Sequence, residues 1–287
     1  MKTLPRRMML VLFVVACCTA AVAPGCAAPT PGGGGPAAGE LPIVSTFSIV
    51  ALDPATGDLG IAVTSKFLAV GSVVPYAEAG VGAVATQARA NVTYGPAVLR
   101  LLRDGKTAAE AVAAVTGADA QSAQRQLGAV DAHGRAATFT GASCMNWAGG
   151  RTGRYCAVQG NILVDEKTVA AVIATFEASE GKATLARRLV DALLAGYRAG
   201  GDKRSGPSNP LDLDSAALLV VRAEGGYDGG NDRFVDLRVD NQAQPVEQLQ
   251  DLLALHERIW RAYHERRPAN PIKPEKPQTP GDGEEDF

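Results

Sequence analysis

The chain has 287 residues, 46% of them hydrophobic and 20% charged, and its 28 basic against 30 acidic side chains leave a formal net charge of −2. It carries no basic patch of the kind a nucleic acid needs, which excludes that partner, and no Cys/His cluster has metal-ligand spacing, which argues against zinc. The three histidines are His133 in a turn and His256 and His264 beside charges on a terminal helix, an arrangement that argues against a Ser-His-Asp triad.

Met1 to Arg7 holds Lys2, Arg6 and Arg7 and no acid, an apolar run continues to Ala16, and small residues follow to Ala28. This is the pattern of a secretory signal peptide over residues 1–26, with an h-region too short to span a bilayer. Its removal takes the net charge from −2 to −5. Val14-Val15-Ala16-Cys17, and less closely Ala23-Pro24-Gly25-Cys26, resemble the lipobox of bacterial lipoproteins. An exported protein is therefore expected, and periplasmic, lipid-anchored and secreted forms are all open. Residues 27–42 are glycine- and proline-rich and read as a linker. Residues 43–267 are long enough for one domain with a real core, and 268–287, rich in proline and acid, read as a disordered tail.

Within the domain, Val44 to Thr64 reads as a β-hairpin: Phe47, Ile49 and Ala51 alternate with Thr46, Ser48 and Val50, and Asp53 to Asp58 forms the turn. Residues 66–76 read as a loop and Gly80 to Thr86 as an apolar strand. A helix is expected from Thr93, then a second one capped by Thr107 with Glu110 three residues on. Gln126 to Asp131 and Arg135 to Thr140 form a second hairpin, residues 141–154 an irregular loop, and Tyr155 to Gln159 a strand. Helices over about 166–179 and 183–199 precede strands 215–222 and 233–239. A last helix, 245–265, is expected to place Leu249, Leu252, Leu253, Ile259, Trp260 and Tyr263 on one side. Strands in antiparallel groups argue for an α+β fold with two sheets stacked between helices, and against a doubly wound parallel sheet.

Without a serviceable histidine, a hydrolase needs another base. Thr46, freed by cleavage of the Ser45–Thr46 bond, would carry its own, because an α-amine has a pKa of about 7.7–8.0. An ordinary strand-edge threonine is the alternative. Gln87, Asn91, Gln159 and Asn161 are amides at strand ends, suited to donate to an oxyanion or hold a substrate amide, or else to satisfy loop backbone. Asp214 and Ser215 could orient the Thr46 amine. Asp53 reads as a turn former. Cys144 and Cys156 could close a disulfide in an oxidising compartment or remain two reduced thiols.

Thr46 to Ala51, the Asp53-Pro54 turn with Gly57, Gly80 to Gln87 with Asn91 and Tyr94-Gly95, Arg125 to Gly128 with Asp131 and Gly134, Trp147-Ala148-Gly149, Val158 to Asn161, Ser215 to Val221, and Asp232-Arg233 with Asp236 to Asp240 together resemble a bacterial and archaeal family. It is catalogued as domain of unknown function 1028 and grouped with the N-terminal-nucleophile (Ntn) hydrolases. The resemblance implies a four-layer αββα sandwich with Thr46 as nucleophile. It also makes Lys66 a candidate, since a lysine near the nucleophile assists it in proteasome-like relatives, with a salt-bridged lysine as the alternative. In the family the matching threonine commonly follows the initiator methionine, whereas here Thr46 lies behind Ser45, a linker and a signal. The expectation is an exported amide hydrolase acting on a small amide or peptide-like substrate, cell-wall material among the candidates, with no cofactor. Its rivals are a non-catalytic envelope-binding module on the same fold and a structural, oligomer-forming envelope protein.

Overall fold

The hairpin at the head of the domain forms from β1 (Thr46–Leu52) and β2 (Leu59–Ser65), paired antiparallel from Leu52 opposite Leu59 out to Thr46 opposite Ser65. Asp53 shapes the turn by accepting the Ala55 amide on its carboxylate, and Gly57 supplies a left-handed residue at φ 75°. The computed structural model describes residues 46–202 and 214–264. The expected signal, lipobox cysteines Cys17 and Cys26, linker, Ser45, the 203–213 loop and the tail lie outside the described residues.

The protein is a mixed α+β fold with two antiparallel sheets and, among the described residues, five α-helices. The first sheet runs β10-β9-β2-β1-β8-β7 and the second β3-β4-β5-β6. Here β3 is Pro75–Glu78, β4 Gly82–Ala88, β5 Arg125–Asp131, β6 Ala136–Thr140, β7 Gly149–Gly153, β8 Cys156–Asn161, β9 Ser215–Val221 and β10 Arg233–Val239. The helices are α1 (Tyr94–Arg103), α2 (Ala108–Gly117), α3 (Lys167–Ala178), α4 (Leu185–Arg198) and α5 (Pro245–His264).

Alternation along β1 gives it two buried faces. Phe47 and Ile49 pack with Val172, Phe176, Leu189 and Leu193 of α3 and α4. Val50 packs with Ile61 and Val63 of β2 and, across the sheets, with Ala83, Ala85 and Val130. A third apolar cluster joins Val84 and Leu127 to Val98, Leu102 and Ala111 of α1 and α2. Each fully buried side chain of this size contributes about 1.5–3 kcal/mol, so β1 is held from both sides and its first residue is fixed with it.

The Thr107–Glu110 capping box is present in both directions, with the Thr107 hydroxyl 3.2 Å from the Glu110 amide and the Glu110 carboxylate 2.7 Å from the Thr107 amide. Two strands form where none is expected, β3 starting at the end of the 66–76 stretch read as loop and β7 inside the 141–154 loop. Strand β3 is four half-buried residues opening on proline, and β7 is Gly-Gly-Arg-Thr-Gly. Both are edge strands without an apolar alternation, so only their neighbours' backbone reveals them. On α5 the expected single apolar side divides: Leu249 and Leu253 are buried, while Leu252 and Ile259 are 36% and 42% exposed.

Candidate functional site

Antiparallel register sets Ser215, Ser65, Thr46 and Asn161 in one row across β9, β2, β1 and β8, at one end of the larger sheet. The Thr46 hydroxyl lies 2.9 Å from the Ser65 hydroxyl. The Thr46 carbonyl accepts from Gln87 Nε2 at 3.2 Å and from Asn161 Nδ2 at 3.4 Å. Gln87 reaches it from the other sheet, so this carbonyl is a point where the two sheets are tied together.

Behind it runs a ladder of buried amides. Gln87 Nε2 donates to Gln126 Oε1 at 2.8 Å and Asn161 Nδ2 to the same oxygen at 3.0 Å; Gln126 Nε2 donates on to the Gly160 carbonyl at 2.7 Å. The Ser48 hydroxyl donates to Gln87 Oε1 at 2.5 Å and accepts from Gln159 Nε2 at 2.7 Å. Buried amides cost stability unless their hydrogen bonds are made, and these are made to one another. Gln159 Oε1 is the exception, buried without a partner. It fits because residue 128 is glycine: a Cβ there would come within 2.0 Å of Gln159 Oε1. Ala88 and Ile162, the residues directly after Gln87 and Asn161, both hold left-handed backbone at φ 65° and 55°. That conformation costs a non-glycine residue about 1–2 kcal/mol, and it gathers where surroundings dictate geometry.

Lys66 and Asp214 form a second cluster. Lys66 Nζ lies 2.9 and 3.0 Å from the two Asp214 oxygens, and the side chains are only 8% and 11% exposed. Together with Phe47, Thr64, Tyr197 and Asp202 they line a cavity of about 10 Å³, room for about one water. Lys66 follows Ser65 by one residue, so strand alternation turns it toward the face of Phe47 and Tyr197, whereas Thr46 shares the inter-sheet face with Ser48. The pair braces the sheet end from behind. The salt-bridged reading of Lys66 is thus the one observed.

Several expectations are corrected. Asn91 belongs to another cluster: its Nδ2 donates to Asp119 at 3.3 Å and its Oδ1 accepts from the Thr93 amide and hydroxyl at the start of α1. Gln87 and Asn161 do stand at Thr46, but their N–H groups are spent on its carbonyl and on Gln126 rather than aimed at a substrate. Gln159 serves Ser48. The Ser215 hydroxyl donates to the Phe67 carbonyl and accepts from the Val70 amide at 3.0 Å, which fixes the turn after β2. Cys144 and Cys156 are free thiols rather than a disulfide. Cys156 points into the core beneath α3, and the Cys144 thiol donates a hydrogen bond to the Arg125 carbonyl at 3.3 Å. Burial and then the nearby Glu177 push the Cys156 thiol up to about 12, and burial raises that of Cys144.

Ser65, Ser48 and Gln126 were missed from the sequence. Ser65 was nevertheless within reach: once Leu52 pairs Leu59, counting outward puts Ser65 opposite Thr46. Gln126 is an amide near the start of β5, as Gln87 is one near the end of the neighbouring β4.

Fold and site together define an α+β protein whose two antiparallel sheets enclose an amide ladder behind a threonine heading a central strand. The chain belongs to DUF1028, a family of unknown function, whose profile matches residues 46–249. A solved structure of that family, protein SPO2555 from Silicibacter pomeroyi, is 35% identical over 74% of this chain and 86% of its own, with a TM-score of 0.64. Anbu (ancestral beta-subunit) from Yersinia bercovieri aligns over 79% of this chain and 100% of its own at 8% identity, but its TM-score of 0.30 is too low to carry an argument. No curated protein matches the chain.

Proposed function

We propose that this is an exported N-terminal-nucleophile amide hydrolase on a four-layer αββα sandwich, with Thr46 as nucleophile once the Ser45–Thr46 bond is cut. The observation that carries the reading is the treatment of Thr46: it heads a central strand, its hydroxyl is held by Ser65, its carbonyl is clamped by two buried amides, and the part of the chain shared with the family begins at that residue. The three apolar clusters, one between the sheets and one under each set of helices, support the layer order.

In the reaction, the freed Thr46 amine would take the Oγ proton as Oγ attacks the amide carbonyl, then pass it to the departing amine. Water, activated by the same amine, would release the acyl group. Gln87 and Asn161 are positioning residues: they hold the Thr46 carbonyl so that amine and hydroxyl keep one geometry. The substrate class is a small amide or peptide-like compound, with cell-wall material among the candidates. A lipid anchor at Cys17 or Cys26 would hold only the uncut chain at the envelope, and the Ser45–Thr46 cut would release the domain from it.

One observation favours the rival binding module: Thr46 is only 3% exposed. Intact-mass analysis and N-terminal sequencing of protein recovered from its host separate the two readings. A peptide epoxyketone adds a second readout, because it closes a ring only on a residue that offers both a free α-amine and a hydroxyl. The hydrolase reading expects a chain beginning at Thr46 and an adduct there. A polypeptide continuous through Ser45–Thr46, inert to the reagent, overturns it.

A further inference from the structure

The second half of α5, and all the chain after it, lie beyond residue 249, where the family match stops. The stretch of α5 from Leu253 to Trp260 walls a groove of about 450 Å³, in which Leu253, His256 and Trp260 face Phe234 of β10 and the Thr184–Arg187 start of α4. The groove is aromatic. His256 stacks on Trp260 with ring centroids 5.0 Å apart, and Tyr227 meets the same indole edge-on at 5.8 Å. His256 Nε2 is buried without a hydrogen-bond partner. Burial holds the pKa of that ring below its usual value, which favours the neutral ring, so Nε2 is an acceptor awaiting an N–H.

The chain leaving α5 carries Pro268, Pro271, Pro274, Pro277 and Pro280, one proline at every third residue. A polyproline II helix has three residues per turn, so this spacing stacks all five prolines on one face. Aromatic grooves take such helices because little entropy remains to be lost and proline rings lie flat on aromatic faces. The residues between the prolines retain N–H groups, as Nε2 requires. The reach is short. The Arg187–Glu257 ion pair and the Gln250–Asp191 hydrogen bond set α4 and α5 antiparallel, which puts the groove beside the later turns of α5, and in sequence the first proline follows His264 by four residues. Leu253 to Trp260 spans about 10 Å of helix, matched by three or four residues of polyproline II at about 3.1 Å each. One wall of the groove, Leu253 to Trp260, and the proline repeat both follow the region matched by the family, while the facing wall of Phe234 and Thr184 to Arg187 lies within it.

We propose that the 268–280 proline repeat folds back as a polyproline II helix into the Phe234–His256–Trp260 groove of its own chain. Tethering through a few residues gives an effective concentration of about 1 mM, so a contact with a Kd of about 0.1 mM is closed roughly ten times as often as it is open.

The test compares the full chain with a Pro271→Ala, Pro274→Ala, Pro277→Ala variant. Trp147 and Trp260 are the only tryptophans, so Trp147→Phe in both proteins makes acrylamide quenching report on Trp260. Hydrogen exchange over residues 250–262, with both tryptophans present, gives the answer should Trp147→Phe fail to fold. The expected result is severalfold stronger quenching and about tenfold faster exchange in the proline variant, independent of protein concentration. Equal quenching and exchange in the two proteins overturns the proposal. A difference that grows with protein concentration overturns it as well, because it seats the repeat of a second copy.

Discussion

Thr46 and Ser65 face each other across the β1–β2 ladder with their hydroxyl oxygens 2.9 Å apart. If Thr46 Oγ is the nucleophile, Ser65 orients it without taking part in bond making. Losing one such hydrogen bond costs about 1 kcal/mol, or about fivefold in rate. Ser65→Ala should therefore slow epoxyketone adduct formation about fivefold, while Thr46→Ala abolishes it and Thr46→Ser retains it. An unchanged rate in Ser65→Ala would remove Ser65 from the site.

The amide ladder depends on a missing side chain. Since a Cβ at position 128 would come within 2.0 Å of Gln159 Oε1, Gly128→Ala forces the buried amide off its place beside Ser48. Overpacking of this kind costs about 1–3 kcal/mol. Gln159→Ala in the same chain vacates the space, so the double variant should lose less stability than the sum of the single ones, by about 0.5 kcal/mol or more. Urea denaturation of the four proteins measures this, and strict additivity would mean the two residues do not compete for room.

Much of this arrangement was legible in the sequence, and what escaped has a physical reason. Hairpin alternation and the Thr107–Glu110 cap are local signals, and each appears where local chemistry puts it. Strands β3 and β7 escaped because an edge strand of proline or glycine owes its existence to the neighbouring backbone. Asn91 misled because proximity in sequence to Gln87 is not proximity in space: the left-handed turn at Ala88 ends the strand and sends Asn91 to the start of α1. Gln126 sits 39 residues from Gln87, and only the β4–β5 register makes them opposite neighbours.

Lys66 and Asp214 are a buried, bidentate ion pair. Removing one partner of a buried ion pair costs about 3–5 kcal/mol, while replacing both by apolar residues is often close to neutral. Lys66→Met and Asp214→Leu should each lower thermal stability sharply, and the double variant should recover most of the loss. If the pair only braces the sheet, a recovered double variant also recovers Thr46 reactivity toward the epoxyketone. Stability restored without reactivity would instead assign the pair a part in the chemistry.

Asp119 gathers the Gln121 amide, the Tyr94 hydroxyl, the Arg125 guanidinium and the Asn91 amide. The Gln121 amide and then the Tyr94 hydroxyl hold its carboxyl at about 2, while burial and the Asp119 hydrogen bond push the Tyr94 phenol up to about 12. An aspartate in an unfolded chain titrates near 3.9. A group whose folded pKa is depressed contributes its stability above the unfolded value and loses it as pH falls through the folded one. The contribution of Asp119 is therefore complete above about pH 4 and fades between about pH 4 and pH 2. Asp119→Asn should lower the melting temperature at pH 7, and the gap from the parent protein should narrow as the pH falls toward 2 and close below it, where the parent carboxyl becomes protonated. Asn91→Ala, which removes one donor to that carboxylate and the cap on Thr93, should destabilise in the same direction at pH 7. It should leave the epoxyketone rate at Thr46 unchanged, because no hydrogen bond joins the two clusters among those described. A rate that fell with Asn91→Ala at full occupancy of the fold would return Asn91 to the site.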